Sequence, residues 1–183
     1  MALGSGVRFR ADDIWDTPED GNRYEVIDGE LFVSPPPLEP HQRGLGALFG
    51  LIWNHVRERQ LGRVYQAPLG VVLDKENGIQ PDLVYISDKR QGIIVERGIE
   101  GAPDLVVEVL SRNTQARDRG VKMRRYAAAG IPHYWILDPR ARALEEYRLS
   151  QQGYDLVDTY GPAAVFKPQL FPDLEITMDD LWA

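Results

Sequence analysis

The run Leu105-Val106-Val107-Glu108-Val109-Leu110 constrains this chain more than any other segment, because five apolar residues enclose a single carboxylate. A strand with one wet face alternates polar and apolar residues, whereas an unbroken apolar run belongs to a strand covered on both faces. An ionised carboxylate in such a strand is costly unless it is paired or binds a metal. Two nearby features supply compensation. Asp82 heads the strand-like run Pro81-Asp82-Leu83-Val84-Tyr85-Ile86, and Lys122 lies on the helix-like segment after Glu108. An acid, a second acid and a lysine from consecutive elements point to a divalent-metal, phosphodiester-cleaving site. The same residues also admit a plain buried Glu108–Lys122 salt bridge.

The length of 183 residues suits one domain with a real core. Residues 1–10 are expected to be a flexible N-terminus and 11–183 the single domain. With 43% apolar and 27% charged residues the composition is globular, not disordered. The chain has no cysteine, which excludes disulfides and thiolate zinc sites. No apolar stretch approaches the roughly 18 residues of a membrane span, and the N-terminus lacks a signal-peptide core. A soluble cytoplasmic protein without membrane contact is therefore expected.

A net charge of −7 argues against a protein that coats nucleic acid. It is compatible with a nuclease, whose clustered acids are offset by bound cations. A local basic cluster is also present: Arg112, Arg117, Arg119, Lys122, Arg124 and Arg125 fall within fourteen residues, broken only by Asp118. Such a run by itself reads first as a solvated helix face, and its place directly after the Glu108 strand raises the alternative of a phosphate-facing patch.

Along the chain, residues 11–17 read as a short helix ending before Pro18. Residues 23–27 and 30–33 read as a hairpin turned by Asp28-Gly29. Pro35, Pro36 and Pro37 form a stiff connection. Leu45, Leu48, Phe49, Ile52 and Val56 recur at helical spacing over 41–59, with Gly62 as the stop. Residues 64–66 and 70–73 read as strands and 74–78 as a polar turn. The central strands, 81–86 and 104–110, are joined by a charged loop with a short helical turn. A helix capped by Ser111 or Asn113 runs to Ala129, stopped by Gly130 and Pro132. Further strands are expected over 133–138, 143–149, 154–160 and 165–166, and a closing helical turn over 178–182. The order of elements gives an α/β domain built on a mixed sheet with helices on its faces.

On the helix after Glu108, Ala116, Gly120, Met123 and Ala127 form a stripe spaced to face the sheet, with Lys122 on its shoulder, one turn from Asp118 and Tyr126. A shoulder lysine can lay its stem on the core and carry its ammonium to the end of the strand. A divalent ion would polarise phosphate oxygens and lower the pKa of bound water. Magnesium, with manganese as a substitute, takes hard oxygen ligands and keeps several waters, so few carboxylates suffice. Asp82, Glu108 and the Val109 backbone carbonyl are the candidate ligands, and Lys122 would orient or deprotonate the water.

These residues resemble the Uma-two (Uma2) family of restriction endonucleases, within the PD-(D/E)XK nuclease superfamily. The resemblance rests on Pro81-Asp82, on Glu108 within 104–111, on Arg117-Asp118-Arg119-Gly120-Val121-Lys122, on Tyr126, and on the string from Gly130 to Pro139. It extends upstream to Tyr24-Glu25, Asp28-Gly29, the proline run and His41, and covers roughly residues 10 to 180. It implies a restriction-endonuclease-like fold, with Asp82 and Glu108 as metal ligands and Lys122 as the catalytic lysine. Glu25 resembles an extra acid near the N-terminus. One departure matters: two residues after Glu108 stands Leu110 rather than lysine, and Lys122 fits a lysine moved to the following helix.

Asp104 reads as a metal neighbour or a turn cap, and His41 as a local hydrogen-bonding group or a phosphate contact. His55 and His133 read as structural. Tyr126 is assigned either to the core or to support of Glu25 or Glu108, and Trp135 to the core. Arg119, Arg124 and Arg125 are phosphate contacts or solvated side chains. The expected activity is metal-dependent hydrolysis of DNA, double-stranded by preference, by a homodimer with two sites about a twofold axis. The alternatives are a catalytically silent nucleic-acid-binding or assembly module, and a structural protein with a buried Glu108–Lys122 pair.

Overall fold

The computed structural model describes residues 6–183. The expected flexibility of residues 1–5 lies outside the described residues. From Arg8 onward the chain is tied down: the Phe9 amide donates to Gly29 O (2.9 Å) and Arg8 pairs with Glu76 (2.7 Å).

After a 3-10 turn, Ala11–Asp16, come β1 (Arg23–Ile27), β2 (Glu30–Ser34) and helix α1 (Glu39–Glu58). Next are β3 (Gly62–Gln66), β4 (Val71–Asp74), β5 (Asn77–Ile79) and β6 (Leu83–Ser87). A 3-10 turn, Asp88–Ile93, leads to β7 (Ile94–Val95), β8 (Gly98–Glu100) and β9 (Leu105–Val109). A helical segment over 115–128, here α2, precedes β10 (His133–Asp138), β11 (Ala143–Ser150) and β12 (Gly153–Tyr160). The small pair β13 (Val165–Phe166) and β14 (Ile176–Thr177) and a 3-10 turn, Met178–Leu181, close the chain.

The strands divide between two mixed six-stranded sheets, in the orders β2-β1-β5-β4-β8-β7 and β12-β11-β10-β9-β6-β3. The second is the central sheet. Its β9 runs parallel to β10 and antiparallel to β6. All five residues of β9 are buried, as the apolar run requires. Val107 and Val109 face α1, where Leu45, Leu48, Ile52 and Val56 pack with Trp135 and Leu137. Val106, on the opposite face, packs with Val84, Ile86, Ile136 and Tyr126 and with Ile27, Val71, Ile79 and Ile99 of the other sheet. Each fully buried valine or leucine contributes about 1.5–3 kcal/mol. Glu108 shares the second face, between the sheet and α2. The architecture is α/β in a single domain.

Two local readings are corrected. Helix α1 is stopped by Gln60, not Gly62. Gln60 adopts a left-handed φ of 54°, and the Gln60 and Leu61 amides donate to the carbonyls of Arg57 and Val56. Gly62 is demanded for another reason: a Cβ there would lie 2.1 Å from Ile86 O. In α2, the buried stripe is Asp118, Lys122 and Tyr126, while Ala116 is exposed. Spaced by four, these three share one face, which α2 turns to the sheet, and a π-helical stretch, Asp118–Lys122, lies within it. Residues 74–78 hold a hairpin turn but also the start of β5, and the loop after β6 contains the β7–β8 hairpin.

Candidate active site

Asp82 and Glu108 meet because of strand register. Leu83 pairs with Val107, so the next position outward sets Asp82 beside Glu108 at the end of the β6–β9 ladder. The same register would put Pro81, which has no amide hydrogen, opposite Val109. The Asp82 side chain takes over there: the Val109 amide donates to its Oδ2 at 2.7 Å. In a strand the N–H and C=O of one residue point to the same neighbour, so the Val109 carbonyl also faces the Asp82 side.

Asp82 is held from two further directions. Arg23, the first residue of β1, places Nη2 2.6 Å from Oδ1, and His41, in the first turn of α1, places Nε2 3.2 Å from Oδ2. Glu108 Oε1 accepts from Tyr126 Oη (2.5 Å) and lies 2.6 Å from Lys122 Nζ. Lys122 also reaches Glu25 Oε1 (2.9 Å) and Asp118 Oδ1 (3.6 Å). Glu25 in turn accepts from the Gln80 amide (3.1 Å) and faces Arg117 at 3.9 Å. Four carboxylates and Lys122, each no more than 2% exposed, therefore form one cluster.

Burial and mutual repulsion act on every member. For Asp82, burial favours the neutral acid, but Arg23, His41 and the Val109 amide outweigh it and hold the carboxyl well below the usual range. Glu25 is likewise depressed: its burial is outweighed by Lys122, Arg23 and Arg117. Burial pushes Glu108 up to about 8, opposed by Lys122 and reinforced by Asp118, Asp82 and Glu25. Asp118 is raised, chiefly by burial. Lys122 is raised despite its burial, because Glu108, Glu25 and Asp118 surround it. Residues with such strongly displaced ionisation mark functional sites more often than chance.

Asp82, Glu108, Lys122, Glu25, Tyr126, His41 and the Val109 backbone thus converge. Asp104 stands apart, at the other end of β9, where it accepts from the Ser87 amide (2.8 Å) and binds Arg90 (3.1 Å). Arg119 is bound to Glu145, and Arg125 to Asp28 at 2.6 Å. The basic cluster of the sequence is thereby largely neutralised. His55 packs edge-on to Phe171, and Trp135 edge-on to Phe166, in the core on the α1 side. Arg23, Asp118 and Tyr134 are members that sequence reasoning did not single out. Tyr134 Oη donates to the Asp118 carbonyl at 3.0 Å. Arg23 precedes Glu25 by two, so strand alternation puts both on one face. Asp118, Lys122 and Tyr126 are spaced by four, another legible sign.

Among the described residues, no three His, Cys, Asp or Glu side chains converge to hold a metal ion. The donors available are hard oxygens: two adjacent carboxylates and a main-chain carbonyl. This is a partial set of the kind suited to an ion that keeps its waters. A cleft of about 130 Å³ is bounded by Asn22, Arg23, Pro35–Pro37, His41, Gln42 and Gln80, and so by the two side chains, Arg23 and His41, that hold Asp82.

A mixed sheet thus carries two adjacent acids, and a lysine reaches them from the following helix. The chain belongs to the Uma2 family, described as "Putative restriction endonuclease", whose model matches residues 11–179. Among solved structures it is similar to "a putative nuclease belonging to DUF820" from Anabaena variabilis ATCC 29413. The two share 20% identity over 95% of this chain and 97% of that one, with a TM-score of 0.78. At that identity the likeness establishes the shared fold. No curated protein matches the chain.

Proposed function

We propose that this protein is a metal-dependent endonuclease that hydrolyses DNA phosphodiester bonds. The observation that carries the reading is the meeting of Asp82 and Glu108 at the end of the β6–β9 ladder with Lys122 on Glu108. A bound magnesium or manganese ion would supply phosphate polarisation and a water of lowered pKa. The chain's own groups do the rest. Asp82 and Glu108, with the Val109 carbonyl, would hold the ion. Lys122 brings positive charge to the same point and has a proton at Nζ to donate or share. Glu25 and Asp118 fix the ammonium, and Tyr126 fixes the Glu108 carboxylate. His41 orients Asp82 from the cleft side.

A purely structural Glu108–Lys122 pair is a poorer account of this geometry, because Lys122 serves three acids and Asp82 is built into the same cluster. Burying so many charges is weak support for stability and needs another purpose. Double-stranded DNA as substrate, a homodimer and a cytoplasmic location belong to the same proposal: two sites about a twofold axis suit cutting two antiparallel strands. No helix among the described residues is long and apolar enough to cross a membrane. Supercoiled plasmid incubated with the protein and manganese tests the reading. Nicked and linear products are expected from wild type and should be lost in Asp82→Asn, Glu108→Gln and Lys122→Met that remain folded. Cleavage that survives all three substitutions would overturn the assignment.

A further inference from the structure

We infer that Arg23 is an exchangeable cation at the metal site, released from Asp82 by a substrate phosphate, so that divalent ion and nucleic acid bind cooperatively. This rests on the metal-site reading above and adds a positioning residue to it.

Three features carry the inference. First, Arg23 occupies the place where a cation is most favoured. Its Nη2 lies 2.6 Å from Asp82 Oδ1, and the carboxylates of Asp82, Glu25 and Glu108 all attract it. The other Asp82 oxygen is tied to the frame by the Val109 amide and His41, so Oδ1 is the one whose partner can move. Second, the cations of the cluster differ in access. Lys122 is buried between helix and sheet, and Arg117 is anchored by Ser34 (2.7 Å) and Phe32. Arg23 instead lines the cleft, with 18% of its side chain exposed. Third, the cleft has the character of an anion's approach. Among the described residues, its walls carry side-chain amides and prolines and no carboxylate, and Arg23 is their only arginine or lysine.

A guanidinium does not leave by losing its proton, since it stays charged at any working pH. It leaves only by swinging away, and a phosphate in the cleft offers it a fork-shaped partner equivalent to Asp82. An arginine moved onto phosphate uncovers Asp82 for a divalent ion. By linkage, the ion then favours the phosphate by the same factor. Metal alone must compete with Arg23 and binds weakly.

The test is manganese affinity, read from the electron paramagnetic resonance signal of free Mn(II), for wild type and Arg23→Gln. Each is measured with and without a hydrolysis-resistant phosphorothioate DNA duplex. Without the duplex, Arg23→Gln should bind manganese about tenfold more tightly than wild type, a coupling of ordinary size. The duplex should tighten manganese binding to wild type by a larger factor than to Arg23→Gln. Should Arg23→Gln fail to fold, Arg23→Lys keeps the charge but not the reach or fork, and should still bind manganese several-fold more tightly than wild type. Equal affinities in wild type and both variants would overturn the exchange while leaving the metal site standing. No binding by any of them at millimolar manganese would overturn both.

Discussion

Replacing Lys122 by methionine removes the one ammonium that three carboxylates share, at 2.6, 2.9 and 3.6 Å. Breaking a buried ion pair costs about 3–5 kcal/mol, because the partner is left charged without a counter-ion. Here the stranded partners are Glu108 and Glu25, so Lys122→Met should fall at the upper end of that range. For a chain of this size, where each kcal/mol moves Tm by roughly 2–4 °C, the melting temperature should drop by about 10 °C or more. Glu108→Gln is milder, about 1–3 kcal/mol, because Lys122 keeps Glu25 and Asp118 and the glutamine oxygen still accepts from Tyr126. The double variant should stay near Lys122→Met, since Glu25 still lacks its nearest cation and keeps only the more distant Arg117 and Arg23. Adding Glu25→Gln should then restore part of the loss. Urea denaturation of the four variants measures this directly. A double variant close to wild type would reduce the cluster to an isolated pair and refute the shared-ammonium reasoning, as would a Lys122→Met loss within about 1 kcal/mol.

Other consequences follow from the same geometry. Tyr126→Phe removes a buried donor to Glu108 and should cost about 1–3 kcal/mol by the same denaturation assay; no loss would mean that Oη contributes nothing there. Glu25 ionises below its unfolded value of about 4.3, so its contribution is present above that pH and lost as pH falls through the depressed native value. Thermal melts of Glu25→Gln should therefore show a flatter acid limb below about pH 4 than wild type, and an equally steep limb would contradict the assignment. Gly62→Ala forces a Cβ against Ile86 O at a φ of +150° and should cost more than about 1 kcal/mol of stability, read as a lowered urea midpoint. An unchanged midpoint would show that this turn shifts freely.

The sequence shows most where local chemistry and tertiary environment agree. The unbroken run 105–110 reports a strand buried on both faces, and Asp28-Gly29 reports its turn because both residues adopt positive φ. The acid–acid–lysine set was legible because each member interrupts an apolar pattern or sits beside one. What stayed hidden is set by non-local pairing. Asn77–Ile79 is strand only because Val71 and Val26 pair with it, and Ile99 is strand only against Val71 and Ile94. The buried stripe of α2 is hard to read because two of its members, Asp118 and Lys122, are charged, whereas a wheel gives weight to the apolar Ala116, Met123 and Ala127. Arg23 was passed over because a cation at a strand entry is ordinary until Asp82, 59 residues later in the chain, is set against it.

Crystals grown with manganese, measured for anomalous scattering, put the site itself to the test. The account requires an anomalous peak in contact with the carboxylate oxygens of both Asp82 and Glu108, with Lys122 still on Glu108. Arg23 turned away from Asp82 should accompany it. Saturating manganese with no peak at that pair, and Arg23 still bound to Asp82, would contradict it.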